Sequence, residues 1–224
     1  MLVEGKDREE FAARLGNLGV CSTVVDSLHL FPSSIPVAKW GCRAVAVLAE
    51  CFEGNVGRLV AAGCCEVVPV AMQAHQTSEA VAGAGCDALT SLAANSSSGY
   101  AARLGHTGAC ESVVSVLRRH SSNADVIERG CRAMANLALV KGNSSWFGPA
   151  GACDALLRVQ RLHPSNESLA AAAWLAAGSL CIDDNNKHRL GQAGACEQSV
   201  ESMRTLLLFP AVARAAGTAV GKVL

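Results

Sequence analysis

The stretch Arg103–Val114, RLGHTGACESVV, sets a cysteine (Cys110) two residues after a glycine (Gly108), with His106 and His120 close by. Two readings compete for it: a Cys/His site poised for chemistry, or a structural joint. Its counterparts along the chain decide between them. Around the same Gly-x-Cys core the sequence repeats as LGNLGVCSTVV, LVAAGCCEVVP, FGPAGACDALL and LGQAGACEQSV. The five cysteines are Cys21, Cys65, Cys110, Cys153 and Cys196, spaced 44, 45, 43 and 43 residues apart. Four of the five segments begin Arg-Leu, at Arg14, Arg58, Arg103 and Arg189.

A second register follows 21 residues after each of these cysteines: WGCRAVAVLA, AGCDALTSLA, RGCRAMANLA, AAWLAAGSLC and AAGTAVGKVL. Cys42, Cys86 and Cys131 are equivalent there, with Trp174 and Gly217 in the last two units. Two registers that hold through five units are the mark of a repeat array.

Each unit reads as three helices. The first is short, with a polar start and a glycine stop, as in NKHRLGQAG. The second spans CESVVSVLRRH, with apolar Val113, Val114, Val116 and Leu117. The third is longer: in NADVIERGCRAMANLALV, residues Val126, Ile127, Cys131, Met134, Leu137 and Leu139 suit one buried face. Turns separate the second and third helices, and HQTSE, HSSNAD and HPSNES are good N-cap sequences. No unit can bury its apolar faces alone; stacked neighbours bury them jointly. The expected domain is one repeat array over 1–224, in units 6–50, 51–95, 96–140, 141–182 and 183–224.

This pattern resembles the armadillo repeat. The features that carry the resemblance are the period, the three-helix unit, the Asn-rich entry DDNNKHRLGQAGACEQSVESM, the Gly194-Ala195 joint and AMANLA (Ala133–Ala138). The resemblance implies an all-α fold, a right-handed α-solenoid of about five three-helix repeats, whose third helices line a concave face. It also implies a binding role. From the repeat register, the floor of that groove is Arg43 and Val47, Asp87 and Ser91, Arg132 and Asn136, Leu175 and Ser179, Thr218 and Lys222; residues four apart share a helix face. Asn136 is the foremost candidate, because an amide can pair with both the C=O and the N–H of a peptide backbone. The import adaptors of this family carry a ladder of Trp and, four residues later, Asn on their third helices. Here only Asn136 matches, which sets the chain with the family's general scaffolds rather than its import receptors.

Composition agrees with a binding module. The chain has 224 residues, 50% hydrophobic and 17% charged, with equal numbers of acidic and basic residues. No block of like charge and no basic stripe with interleaved aromatics points to nucleic acid. No run of 18 apolar residues is present to insert in a membrane, and the N-terminus lacks a signal-peptide core. The 11 cysteines, an odd number, fit a reducing compartment, cytoplasmic or nuclear. Three glycosylation sequons, at Asn95, Asn143 and Asn166, would matter only on secretion.

The expected role of the joint cysteines is packing, since they recur with the fold and show no Cys-x-x-Cys spacing. His75, His120 and His163 each follow their joint cysteine by ten residues, with Phe31 and Leu206 in that place in the outer units. At the end of the second helix a partial positive charge suits the dipole; the sharper alternative is a metal- or pH-sensing row. No nucleophile elbow, phosphate loop or dinucleotide fingerprint occurs. The reading is therefore a non-enzymatic scaffold that binds a protein or peptide segment, with no cofactor, metal or small-molecule substrate. Two other readings stand beside it: a regulatory array within a longer polypeptide, such as a kinase, because AVGKVL is still in repeat register; and a nuclear transport adaptor.

Overall fold

In the computed structural model, the five joint glycines, Gly19, Gly63, Gly108, Gly151 and Gly194, all have φ between 82° and 98°. A side-chain-bearing residue in that left-handed region costs roughly 1–2 kcal/mol, so glycine is the residue that lets the chain turn there. The turn is sharp: Glu53–Ala62 and Cys64–Ala74 meet at 72° across Gly63. The structure describes residues 2–94, 99–206 and 209–223. The expected unit boundary at 95/96, the sequon at Asn95, and Leu224 lie outside them.

Among the described residues the regular structure is entirely helical, fifteen helices in all. The chain forms two compact units, Met1–Ala109 and Cys110–Leu224. In the first unit the first helices of successive repeats are α1 (Leu2–Asn17), α4 (Glu53–Ala62) and α7 (Tyr100–His106). The second helices are α2 (Val20–Leu30) and α5 (Cys64–Ala74), and the third are α3 (Ile35–Cys51) and α6 (Glu79–Ala94). Like stacks on like: α1 on α4, α2 on α5, and α3 along α6.

In the second unit, α8 (Ala109–Arg119) and α9 (Ala124–Leu137) are the second and third helices of the middle repeat. They are followed by α10 (Lys141–Ala150), α11 (Ala152–Leu162) and α12 (Glu167–Leu180), then α13 (Asp184–Gln192), α14 (Ala195–Thr205) and α15 (Pro210–Val223). Here α12 lies between α9 and α15, and α10 packs on α13.

The core is the seam between repeats. The second register packs there: Cys42, Val45, Cys86, Leu89, Cys131 and Met134 are all fully buried. Each such large apolar side chain is stabilised by roughly 1.5–3 kcal/mol on burial, more than the ~1 kcal/mol typical of a helix cap. Caps still fix where the third helices start. Ser78 Oγ accepts from Val81 N at 3.4 Å, Asn123 Oδ1 from Val126 N at 3.2 Å and Asn166 Oδ1 from Leu169 N at 3.1 Å. Ser34 does the same for α3, so the first turn, FPSSIP, also ends in a cap.

Two expectations need correction. The first helix of the first repeat is not short: α1 has 16 residues, extended by an exposed polar stretch over Lys6–Glu10. The third helix of the middle repeat stops at Leu137, so Leu139 falls beyond it and is 55% exposed rather than buried.

A set of buried polar bonds crosses the seams. Ten residues before their joint cysteines stand Asn55, Asn143 and Asn186, all buried. Asn55 Nδ2 donates to Ala12 O at 2.9 Å, in the preceding repeat, and to Leu48 O at 3.3 Å. Asn186 Nδ2 makes the equivalent bond to Ser144 O at 2.6 Å. Asn143 Nδ2 donates to Leu137 O at 3.0 Å. Its burial is incompatible with the glycan its sequon would call for. The amide lies so close to the preceding repeat that a methyl on Gly16 would overlap Asn55 Oδ1, and one on Gly148 would overlap Asn186 Oδ1.

The same seam holds a carboxylate cap. Asp183 Oδ1 accepts from Asn185 N and Asn186 N at 3.1 Å, and Oδ2 accepts from Ser145 Oγ at 2.7 Å. The Ser145 bond, the backbone N–H groups and the charge of Lys141 hold the Asp183 carboxyl below the usual range, outweighing its burial.

Two outcomes follow. Alanine normally stabilises an internal helix position over glycine by roughly 0.5–1 kcal/mol. Gly148→Ala should instead lower the urea midpoint, because the methyl displaces a buried, bonded amide worth about 1–3 kcal/mol. Adding Asn186→Ala should then cost less than it does in the wild-type background. A higher midpoint for Gly148→Ala would contradict this packing. For Asp183, the depressed folded pKa means that its stabilisation is present above about pH 4 and lost as pH falls through the folded value. Asp183→Asn should therefore flatten the loss of thermal stability on acidification below about pH 4, as measured by circular dichroism.

Candidate functional site

The expected groove residues fall on the third helices of both units. In the first unit Arg43 and Val47 are exposed on α3, while Asp87 and Ser91 are half-buried on α6. In the second, Arg132 is exposed and Asn136 half-buried on α9, and Leu175 is exposed on α12 with Ser179 buried beside it. Thr218 and Lys222 are exposed on α15.

Five of the ten come together. Arg132, Leu175, Ser179, Thr218 and Lys222 line one open depression of about 660 Å³ on the α9, α12 and α15 face. Asn136 is not among its lining residues. The floor is apolar, built from Leu139, Ala171, Leu175, Ala211 and Ala215. Leu139 and Leu175 stand 55% and 54% exposed in a chain that otherwise buries its leucines on this face. Alanines on α12 and α15 keep the two helices close and the floor shallow.

The rim is charged. Arg132, Arg214, Lys222 and Glu167 line it. Arg132 pairs with Glu128 one turn earlier on α9, and Glu128 Oε2 also accepts from Ser168 Oγ at 2.6 Å, from the start of α12. Lys222 Nζ donates across to Gly178 O at 3.0 Å, which leaves two of its protons for another acceptor. Arg214 makes no side-chain hydrogen bond or ion pair among the described residues. Trp174, only 1% exposed, also lines the depression, and its indole Nε1 lacks a hydrogen-bond partner among the described residues.

Register reasoning missed half of this wall. Ala171 lies four residues before Leu175, Arg214 four before Thr218, and Ala211 seven before Thr218. All share the face already chosen. Extending the i, i+4 pairs towards the N-terminus, by one turn for Ala171 and Arg214 and by two for Ala211, finds them. Trp174 gave a weaker signal: it stands where the first three repeats have a cysteine, in the buried register.

The cysteines and histidines of the joints are occupied with structure. Cys110 and Cys153 contact the carbonyl oxygens of Asn143 and Asn186, in the following repeat, at 4.0 and 3.8 Å. Burial pushes both thiols up to about 12, with the neighbouring Glu111 and Asp154 adding to the effect. His75 Nε2 lies 2.9 Å from Pro32 O, and His163 Nε2 lies 2.8 Å from Ser121 O. A carbonyl only accepts, so each ring carries its proton on Nε2 and ties its repeat to the one before. Among the described residues no three His, Cys, Asp or Glu side chains come together as a metal site requires. No single described helix is long and apolar enough to cross a membrane.

Similarity to solved structures agrees with this architecture. A designed armadillo repeat protein in complex with the peptide (KR)4 superposes with a TM-score of 0.81 at 21% identity, covering 96% of this chain and 87% of that one. The fold is armadillo-like. Computationally designed armadillo repeat proteins for modular peptide recognition match with a TM-score of 0.79 at 21% identity, covering 97% and 89% of the two chains. An engineered protein matches at 0.82 and 20% identity, over 98% and 90%. No family model matches the chain, and no curated protein does. The armadillo-like architecture makes the chain an all-α solenoid whose third helices carry the depression.

The thiol environment predicts selective labelling. Treated with N-ethylmaleimide at about pH 8, the folded protein should leave Cys110 and Cys153 unmodified, while both should react once it is unfolded. Rapid labelling of either in the folded state, read by peptide mass spectrometry, would restore the reactive-site reading of RLGHTGACESVV.

Proposed function

We propose that the chain is a non-enzymatic repeat scaffold that holds a peptide or partner segment against the face of α9, α12 and α15. The observation that carries this is the depression that gathers Arg132, Leu175, Ser179, Thr218 and Lys222, with an exposed apolar floor and charged rim. Apolar surface gathered in one concavity and ringed by donors is how grooves anchor a side chain and orient the backbone around it. One of the similar structures is of designs for modular peptide recognition, and another is a designed armadillo repeat protein in complex with a peptide. That supports a peptide-sized ligand for the same fold. Armadillo repeat scaffolds are generally binding modules rather than enzymes. The joint chemistry of this chain is taken up by packing and hydrogen bonds. The abundant buried thiols favour a reducing compartment, in the cytoplasm or nucleus.

Display selection from a random peptide library tests the proposal. Peptides enriched on the wild-type protein should lose about tenfold or more in affinity for Leu175→Glu, which places a charge on the apolar floor. They should bind normally to Arg158→Glu, an exposed change on α11. The reverse pattern would place the binding surface elsewhere.

A further inference from the structure

We infer that the ligand of this face is an acidic peptide that alternates carboxylates with aliphatic side chains. The inference rests on the peptide-scaffold reading above and adds the chemistry of the partner. Three cations reach the rim, Arg132, Arg214 and Lys222, against Glu167. Glu128 neutralises Arg132. The charge left to a ligand is therefore that of Arg214 and Lys222, both on α15, opposed by Glu167 at the start of α12. Their spacing matters. Arg214 and Lys222 lie eight residues apart, two turns along one helix face, at a rise of about 1.5 Å per residue. They are thus ~12 Å apart along the axis, with the apolar floor between and beside them. An extended peptide advances ~6.6 Å every second residue, so carboxylates two such steps apart match both cations.

The same alternation puts the intervening side chains on the opposite side of the strand. Aliphatic ones there meet the floor of Leu139, Leu175, Ala211 and Ala215 when the strand lies edge-on against α15. A basic peptide, by contrast, would set like charges against Arg214 and Lys222 in a concavity that concentrates their field.

The test uses fluorescein-labelled, terminally blocked octapeptides (Glu-Leu)4, (Lys-Leu)4 and (Glu-Ser)4 in fluorescence anisotropy with the whole chain. The expected order is (Glu-Leu)4 tighter than each of the others by about tenfold or more, with affinity falling as salt rises. Among the described residues Arg214 has no side-chain partner to lose, so Arg214→Glu should stay folded by circular dichroism. It should weaken (Glu-Leu)4 about tenfold and strengthen (Lys-Leu)4.

If (Lys-Leu)4 binds as well as (Glu-Leu)4, and Leu175→Glu abolishes both, the acidic-ligand inference falls while the groove stands. If no probe binds with sensitivity to Leu175→Glu, both readings fall. If light scattering shows a dimer that Leu175→Glu dissolves, the face belongs to a second copy of the chain and the inference is overturned.

Discussion

The structure depends on one constraint: a repeat of helices must turn sharply at a fixed place, and its neighbour must find the turn. The left-handed glycine supplies the first half. It stops one helix and starts the next within a residue, at 72° where α4 meets α5. The buried asparagines supply the second half. Each places an amide against a backbone carbonyl of the repeat before it, in a seam closed to water. A polar group in such a seam is tolerated only when bonded, so a neighbour that slides by one residue would leave both donor and acceptor without partners. Apolar burial gives the seam most of its energy but little direction. The amides, with the His75 and His163 rings, set the register.

That division of labour leaves one face of the third helices open. Because α9 and α15 pack against the two flanks of α12, the outward face between them takes no part in the seams and is free to vary. On α12 it presents Leu175 and Ala171, and on α15 Arg214, Thr218 and Lys222. The face is small in side-chain volume and rich in long cations, so concavity comes from the alanines and charge from the flexible arms. The Lys222 amine reaches the Gly178 carbonyl, which ties the cation to the neighbouring helix and limits its wandering. A rim arginine or lysine held in this way loses less freedom on meeting a ligand.

Much of this was legible in the sequence, for a physical reason: a solenoid imposes the same environment on the same residue in every turn, so the pattern repeats where the packing does. The joint glycines and the Cys42, Cys86 and Cys131 register could be read directly. The armadillo-like architecture follows from them. The asparagines read only as a polar helix start, because a side chain that bonds across a seam looks in sequence like one that caps its own helix. The histidines were read as partners of a dipole for the same reason, where the structure adds a carbonyl from the repeat before. On the candidate face, register alone gave Arg132, Leu175, Ser179, Thr218 and Lys222, but also Asn136, which stands outside the depression. Arg214 and Ala171 share the face of the residues chosen and lay one turn further back. Leu139 was misjudged because α9 ends two residues before it.

The fit between Gly16 and Asn55, and between Gly148 and Asn186, works as a lock cut for one key. At the same place in the second repeat the chain has Val60 rather than glycine, and the repeat that follows brings Tyr100 instead of an asparagine. The pairing of the second and third repeats is thus written into their edges. The second repeat set before any but the third would bring a bulky valine against an amide, and the third set after any but the second would bring a phenol against a glycine notch. Two modules of an outwardly uniform array are, along one seam, addressed to each other, while the repeats with glycine and asparagine edges share a common fitting.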